Sequence, residues 1–410
     1  MTATIETGTF TPENEEQVRD AVQWAISERA PLEIIGHGSK RSIGRPLQVA
    51  NAIDCSKLAG ITLYEPEELV LSAHAGTALD EIEALLEEND QELQFEPLDY
   101  RALLASTDSG RGTIGAMLAA NLAGPRRLKA GAARDHVLGI RAVTGRGEVI
   151  KSGGRVVKNV TGYDLSRGLA GSWGTLAVFT EVTFKVLPKA QTQATLAVSG
   201  LNDADAATVM AEAMGSNAEV SSAAHLPESV SGRFVDGSLP RGPVTVLRIE
   251  GFAQSVDYRL SNLQRAFERY GTCQRLEADT TQTLWQQIRD VHPFCDGTER
   301  PVWRVSVAPG AGHQLVAALR LQTGVDAYYD WQGGLVWLRM EADAEADPIR
   351  RTIKALGGGH ATLVRASGAL RNQIPVFEPQ DAALAALSGR LKEQFDPENI
   401  LNPARMAAEL

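Results

Sequence analysis

Two glycine-bounded loops carry the residues of this chain with the clearest chemical potential. The first, Gly36-His37-Gly38-Ser39, follows the short apolar run Pro31-Leu32-Glu33-Ile34-Ile35. A glycine turn after a strand can align successive backbone N–H groups into a concave anion site of the kind a diphosphate requires. The same pattern also serves as an ordinary strand-to-turn connection. It is not a P-loop, because Ser39 is followed by Lys40-Arg41 where Gly-Lys-Ser/Thr is needed, and Arg41 stands where a dinucleotide turn places its third glycine. The second loop, Gly110-Arg111-Gly112-Thr113-Ile114-Gly115, does spell G-x-G-x-x-G, with Asp135 where a ribose-binding acid would be sought. Its surroundings argue against that use. Ser106-Thr107-Asp108-Ser109 is no buried strand, and Gly124-Pro125 and Gly131 break the path to Asp135. The small residues at 115, 116, 119, 120, 123 and 124 instead let backbone approach a flat ligand closely.

Other chemistries find no support. The histidines (37, 74, 136, 225, 292, 313 and 360) show no H-x-H or H-x-x-x-H spacing, and Cys55, Cys273 and Cys295 form no C-x-x-C, so neither a zinc nor an iron–sulfur site is expected. No local motif suggests a Ser-His-Asp or Cys-His arrangement, and catalytic residues are not identifiable. The net charge of −11 argues against nucleic-acid binding. Between Arg126 and Arg167, however, ten Lys/Arg face three acids, an island of +7 in a chain that is otherwise −18. That island is a solvated surface, a neighbour of an anionic ligand, or a dock for an acidic partner. No apolar run of about 18 residues predicts a membrane span. The N-terminus lacks the pattern of a secretory signal, and three scattered cysteines fit a reducing cytoplasm.

The positioning elements follow from periodicity. Val18, Val22 and Ile26 predict a helix starting near Thr11-Pro12, and Leu79, Ile82, Leu85 and Leu86 one over 77–89. Strands are predicted at 31–35, 70–73, 138–144, 148–150 and 177–187. Beyond Leu187-Pro188-Lys189-Ala190 the pattern changes. Strands at 195–199, 244–252, 302–308 and 360–366, a hairpin over 327–340, and helices at 203–214 and 256–270 predict an α+β unit with an antiparallel sheet. Residues 230–242 read as loop. A helix over 382–394 leads into FDPENILNPARM, whose Asp/Asn-Pro corners suggest a fixed turn.

These motifs resemble the FAD-binding domain of the vanillyl-alcohol-oxidase (PCMH-type) superfamily, and within it the FAD-binding subunits of bacterial glycolate oxidases. The likeness is dense over residues 11–190 and returns at 395–406. It implies an α+β fold, with an FAD domain over 1–190 (subdomains about 1–60 and 61–190), a cap-like domain over 191–370, and a segment over 371–410 that returns to the FAD domain. By resemblance, Gly36, His37, Gly38 and Ser39 form the pyrophosphate loop. Gly112, Thr113, Ile114, Gly115, Asn121 and Gly124 belong to a second cofactor loop, Pro97 lies in a short segment beside the cofactor, and Thr175 and Val178 sit at the G-T-L-G-[VI] strand entry, where Ala177 replaces glycine. Some members attach FAD through a histidine just after the first glycines; Ser39 stands there, which implies non-covalent FAD. Trp173 replaces an acid usual in hydroxy-acid dehydrogenases. Residues Val157–Leu165 match the glycolate and D-lactate branch, either as a capped connection with buried Tyr163 and Leu165 or as a cofactor or partner contact.

The resemblance further implies partners: a catalytic flavin subunit and an iron–sulfur subunit, in a cytoplasmic assembly peripheral to the inner membrane, oxidising glycolate to glyoxylate. The His- and Gly/Asp-rich metal motif of the catalytic subunit is not found between 190 and 380. Two alternatives therefore stand beside this reading: a stand-alone FAD-dependent 2-hydroxy-acid dehydrogenase using an Arg/Tyr set from the second domain, and a structural subunit without flavin.

Overall fold

Three principal sheets with helices packed on them form an α+β architecture in the computed structural model, which describes residues 8–106, 110–155 and 162–409. The first sheet is parallel, in the order Thr9–Phe10, Asn51–Asp54, Leu32–Ile35. Helix Glu15–Glu28 covers it through buried Val18, Ala21, Val22 and Ala25. Its cap is Asn14, whose side chain accepts the Gln17 N–H at 3.0 Å, so Thr11-Pro12 lies ahead of the helix and not in its first turn. The chain end joins this sheet: Leu401 bridges Leu32 in parallel, and Ile400 and Leu401 share a core with Val18, Leu32 and Ile53.

The second sheet is antiparallel, in the order Ile61–Glu65, Val70–His74, Ala177–Lys185, Val137–Thr144, Val149–Gly153. Helices Leu79–Glu87 and Ile114–Ala120 pack against it around Ile82, Leu86, Ile114 and Leu118. Between them, the segment 97–105 runs to the third sheet.

That third sheet has eight antiparallel strands, in the order Thr272–Leu276, Thr192–Ser199, Val244–Gly251, Ser222–Leu226, Val325–Asp330, Leu335–Met340, Val302–Val307, Gly359–Arg365. Alternation along the strands gives it two apolar faces. The outer face, with Leu196, Val198, Trp303 and Val305, is covered by helices Asp203–Met214, Ala253–Phe267, Gly312–Arg320 and Ala346–Ala355. The inner face, with Ala197, Val246, Tyr328 and Trp337, packs against helix Ala278–Arg289 and against Leu98, Tyr100, Leu103 and Ala123. Burying one large apolar side chain contributes about 1.5–3 kcal/mol. A seam with several such residues on each side is a fixed interface and not a hinge.

Several expectations are corrected here. Strands Ser222–Leu226 and Thr272–Leu276 and the helices at 278–289, 312–320 and 346–355 were not foreseen. The 230–242 stretch holds one end of helix Glu228–Ser231 and a 3-10 turn, Val235–Gly237. Tyr163 is 91% exposed, not buried, and Leu165 is half-buried. The rest of the Val157–Leu165 motif, through Thr161, lies outside the described residues, as do Thr107–Ser109.

The basic island is also not one outward patch. Arg126 lies in the seam with its side chain 13% exposed, bidentate to Glu250 at 2.6 and 3.1 Å and paired with Glu92 at 2.9 Å. Glu96 accepts from Arg248 at 2.8 Å in the same cluster. Glu250 is largely withdrawn from water, which alone would raise its pKa, but Arg248 and Arg126 outweigh that and hold it at about 2. Arg141 pairs with Glu15, Arg167 with Asp164, and Arg146 donates to the carbonyls of Glu393 and Gln394. Lys129, Arg134, Lys151 and Arg155 are exposed.

Candidate functional site

A cleft opens where the parallel sheet, the start of helix Ile114–Ala120, the strand entry at Trp173–Val178 and the C-terminal segment with Asn402 and Arg405 converge. Gly36, His37, Gly38, Ser39, Thr113, Gly115 and Val178 all line it. The two glycine loops touch: a Cβ at Gly36 would sit 2.6 Å from Thr113 Oγ1, and Gly38 holds φ +73°, which L side chains rarely adopt. Thr113 caps its helix through Ala116 N–H at 3.3 Å.

The donors in the two loops differ. The N–H groups of Ile114 and Gly115 are spent on the carbonyls of Thr77 and Ala75. Those of His37, Gly38, Ser39 and Lys40 make no hydrogen bond among the described residues. His37 Nδ1 is buried and also unpartnered. The ammonium of Lys40 lies beside this turn, 3.5 Å from Ser39 Oγ. Burial brings its pKa down to about 8, against the pull of Asp99.

The other predicted residues do not line the cleft. Gly112 backs onto the first loop, where a Cβ would stand 2.8 Å from Ser39 Oγ. Ile114 is buried in the second core. Asn121 is the left-handed cap of helix Ile114–Ala120, and its Oδ1 accepts the Arg134 N–H at 3.0 Å. Gly124 packs on Glu96. Pro97 offers its carbonyl to Arg111 at 3.3 Å. Thr175 donates to the Ser172 carbonyl at 2.7 Å. Asp135 accepts the Ala132 N–H and faces Arg127, so the G-x-G-x-x-G reading with Asp135 as ribose acid has no structural counterpart.

Sequence reasoning missed the lining supplied by the chain end. Asn402 accepts the Ile34 N–H and donates to the Trp173 carbonyl, both at 2.8 Å. Arg405 reaches the carbonyls of Lys40 and Arg41 and is held at about 10, lowered by burial against the pull of Glu33. The signal was the pair of Asx-Pro corners, which mark a fixed turn without saying what it faces. Ala75, Ala116, Ala119, Ala120 and Ala177 complete a wall of small side chains.

A small parallel sheet and an antiparallel one sharing a glycine-turn cleft, with a separate eight-stranded sheet against them, define a two-part cofactor-binding scaffold. A family model described as FAD binding domain matches residues 7–153. The Escherichia coli (strain K12) protein glycolate oxidase subunit GlcE is 36% identical over 401 residues, covering 95% of this chain and 97% of that one. Glycolate oxidase subunit GlcD of Bacillus subtilis (strain 168) is 32% identical over 201 residues, 48% of this chain and 41% of its own length. Substrate-bound p-cresol methylhydroxylase shares the fold, with a TM-score of 0.71 at 16% identity over 98% of this chain and 88% of that one. The chain belongs to the family of FAD-binding glycolate oxidase subunits typified by GlcE. Its cofactor is FAD. The residues present fit that group: four consecutive unspent N–H donors, an unpartnered buried imidazole nitrogen and a wall of small side chains lie in one cleft. Among the described residues, no helix is long and apolar enough to cross a membrane.

Proposed function

We propose that this chain is the FAD-binding subunit of a complex that oxidises glycolate to glyoxylate, holding FAD non-covalently in the cleft and working beside a catalytic flavin subunit and an iron–sulfur subunit. The observation that carries the reading is the run of unspent N–H groups from His37 to Lys40, in a turn that lines the cleft and touches the second loop. The near-full-length similarity to a glycolate oxidase subunit supports the substrate and a multi-subunit assembly, while the catalytic flavin and iron–sulfur partners rest on the resemblance read from the sequence motifs.

In this reading Gly36–Ser39 hold the diphosphate, with Lys40 supplying positive charge. Thr113, Gly115 and Val178 contribute lining, and Asn402 and Arg405 close the cleft from the chain end. Gly112, Ile114, Asn121, Gly124, Pro97 and Thr175 act one layer back by fixing the two loops. When bound, FAD supplies hydride and electron-transfer chemistry that side chains cannot, while the protein supplies position and electrostatics. Ser39, where a linking histidine could stand, offers no imidazole for attachment. Exposed cations such as Lys129, Lys151 and Arg155 favour an acidic partner surface, accelerating encounter in a salt-sensitive way.

The test is direct. Chain purified alone should absorb at flavin wavelengths, and acid precipitation should release all of that absorbance into the supernatant. A coloured pellet would refute non-covalent attachment. A colourless protein that cannot be reconstituted with FAD would refute the reading itself.

A further inference from the structure

The largest side chain in the cleft wall, Trp173, stands on backbone that costs free energy to hold. Its φ is +53°, in the left-handed region that bulky residues seldom enter. The glycines close by, Gly171 and Gly174, share that region at φ +80° and +70° without the same penalty. A glycine at 173 would make the turn free of strain, so what the strain retains is the indole. Three contacts hold it. The Trp173 N–H donates to the Ala119 carbonyl at 2.9 Å, its carbonyl accepts from Asn402 Nδ2 at 2.8 Å, and its ring packs on Phe377 with centroids 5.5 Å apart.

Phe377 is itself placed by the eight-stranded sheet. It follows Val376, whose carbonyl accepts the Leu363 N–H of the last strand at 2.8 Å. The indole also packs on the inner-face cluster that holds Leu98, Tyr100 and Ala123. One side of Trp173 therefore belongs to the cleft and the other to the second part of the fold. Its place along the cleft is set by helix Ile114–Ala120. Thr113, at the start, touches the first glycine turn through Gly36, and Ala119, near the end, carries Trp173. The helical rise from Thr113 to Ala119 separates those points by about 9 Å.

With a diphosphate on the first turn, that span belongs to the ribityl arm of the cofactor, and the flavin ring is the part that reaches Trp173. We propose that Trp173 is a shielding residue: its indole, backed by Phe377, closes the flavin-ring end of the cleft against small solutes. Phe377 keeps the indole from swinging aside, and the strained turn keeps it aimed along the wall. The consequence is a flavin that small molecules reach slowly, suited to passing electrons within an assembly. The inference rests on the proposed reading that this cleft holds FAD and adds to it the residue that decides what reaches the ring.

The experiment is sulfite bleaching of the visible flavin band in purified holoprotein, which requires sulfite to reach the ring. Three variants are compared with wild type. Trp173→Gly opens the end wall and suits the left-handed backbone, Trp173→Phe keeps an aromatic wall, and Phe377→Ala removes only the backing. None changes charge, so the rate reports access. Trp173→Gly should bleach about tenfold faster than wild type, Phe377→Ala should fall between them, and Trp173→Phe should stay within about twofold of wild type. FAD content should stay at the wild-type level in Phe377→Ala. Wild type or Trp173→Phe that bleaches as fast as Trp173→Gly would overturn the shield. So would a Trp173→Gly protein that sheds FAD while Phe377→Ala keeps the wild-type rate, which would make Trp173 structural. Gly38→Val separates the shield from the reading beneath it. If that variant sheds flavin while no change at 173 or 377 alters bleaching, the cleft holds FAD and only the shield fails. If it keeps its flavin and bleaching ignores all three variants, the cofactor site itself is misplaced and both fall.

Discussion

Replacing Lys392 with Met tests the joint between the chain end and the cleft. The ammonium is 8% exposed and donates to the Thr175 carbonyl at 2.8 Å, the Leu401 carbonyl at 3.0 Å and Asp396 Oδ2 at 2.6 Å. Asp396 is fully buried and also accepts the N–H groups of Ile400 and Leu401. Removing one member of a buried ion pair typically costs about 3–5 kcal/mol, because the other charge is left without compensation. The two backbone donors that remain on Asp396 put the cost near the lower end, about 3 kcal/mol. At 1.4 kcal/mol per decade this raises local opening of the segment about a hundredfold. Hydrogen exchange should therefore show residues 382–409 losing about two decades of protection, while the eight-stranded sheet keeps its own. FAD affinity should fall with it, since Asn402 and Arg405 line the cleft. The double variant Lys392→Met with Asp396→Asn removes the stranded charge and should recover part of the loss. Unchanged protection in the single variant, or a double variant less stable than the single, would refute this account of the joint.

Three further outcomes are expected. Gly38→Val places a β-branched side chain at φ +73° in the first loop and should give folded protein with little flavin, checked by circular dichroism against visible absorbance. Arg126→Glu should destabilise the seam by about 3–5 kcal/mol in denaturant unfolding, whereas Lys129→Glu, on an exposed residue, should leave stability within about 0.5 kcal/mol. Asp203 is partly buried, which raises its pKa, but bonds from His225 and Tyr329 outweigh burial and hold it at about 2. Its folded value is thus below its unfolded one, so its contribution of about 2 kcal/mol is complete above pH 4 and lost on acidification toward pH 2; the stability gap between wild type and Asp203→Asn should close over that window in urea titrations.

What could be read in the sequence divides along physical lines. Helix Asp203–Met214 and strand Val302–Val307 announced themselves because one face of each is apolar and the other is not. Strand Ser222–Leu226 is buried on both sides, so its residues do not alternate, and Ala-Ala gives no strand preference. Helix Ala278–Arg289, rich in threonine and glutamine, shows its apolar stripe only once Leu284, Trp285 and Ile288 have a seam to fill. In the cleft, the glycine turn was legible because backbone geometry is written in residue type. The roles of Asn402, Arg405 and Lys40 were not, because each depends on a segment meeting another that is hundreds of positions away or on burial that no local pattern encodes. The place of Arg126 in the seam was not legible for the same reason: a cluster of cations along the chain says nothing of where each side chain ends, and Glu250 lies far along the chain from Arg126.

The parallel bridge between Leu32 and Leu401 also dictates when the cleft can exist during synthesis. Domains generally fold as they emerge, N-terminal parts first. Here strand Leu32–Ile35 must wait until the eight-stranded sheet has been synthesised and residues 401–402 have emerged before Asn402 can reach Ile34. Closing of the cleft therefore waits for residues 401–402. A nascent chain stalled before Asp396 would present the first glycine turn with one wall missing, and a stop codon in the final turn would damage flavin retention more than its distance from the glycines suggests.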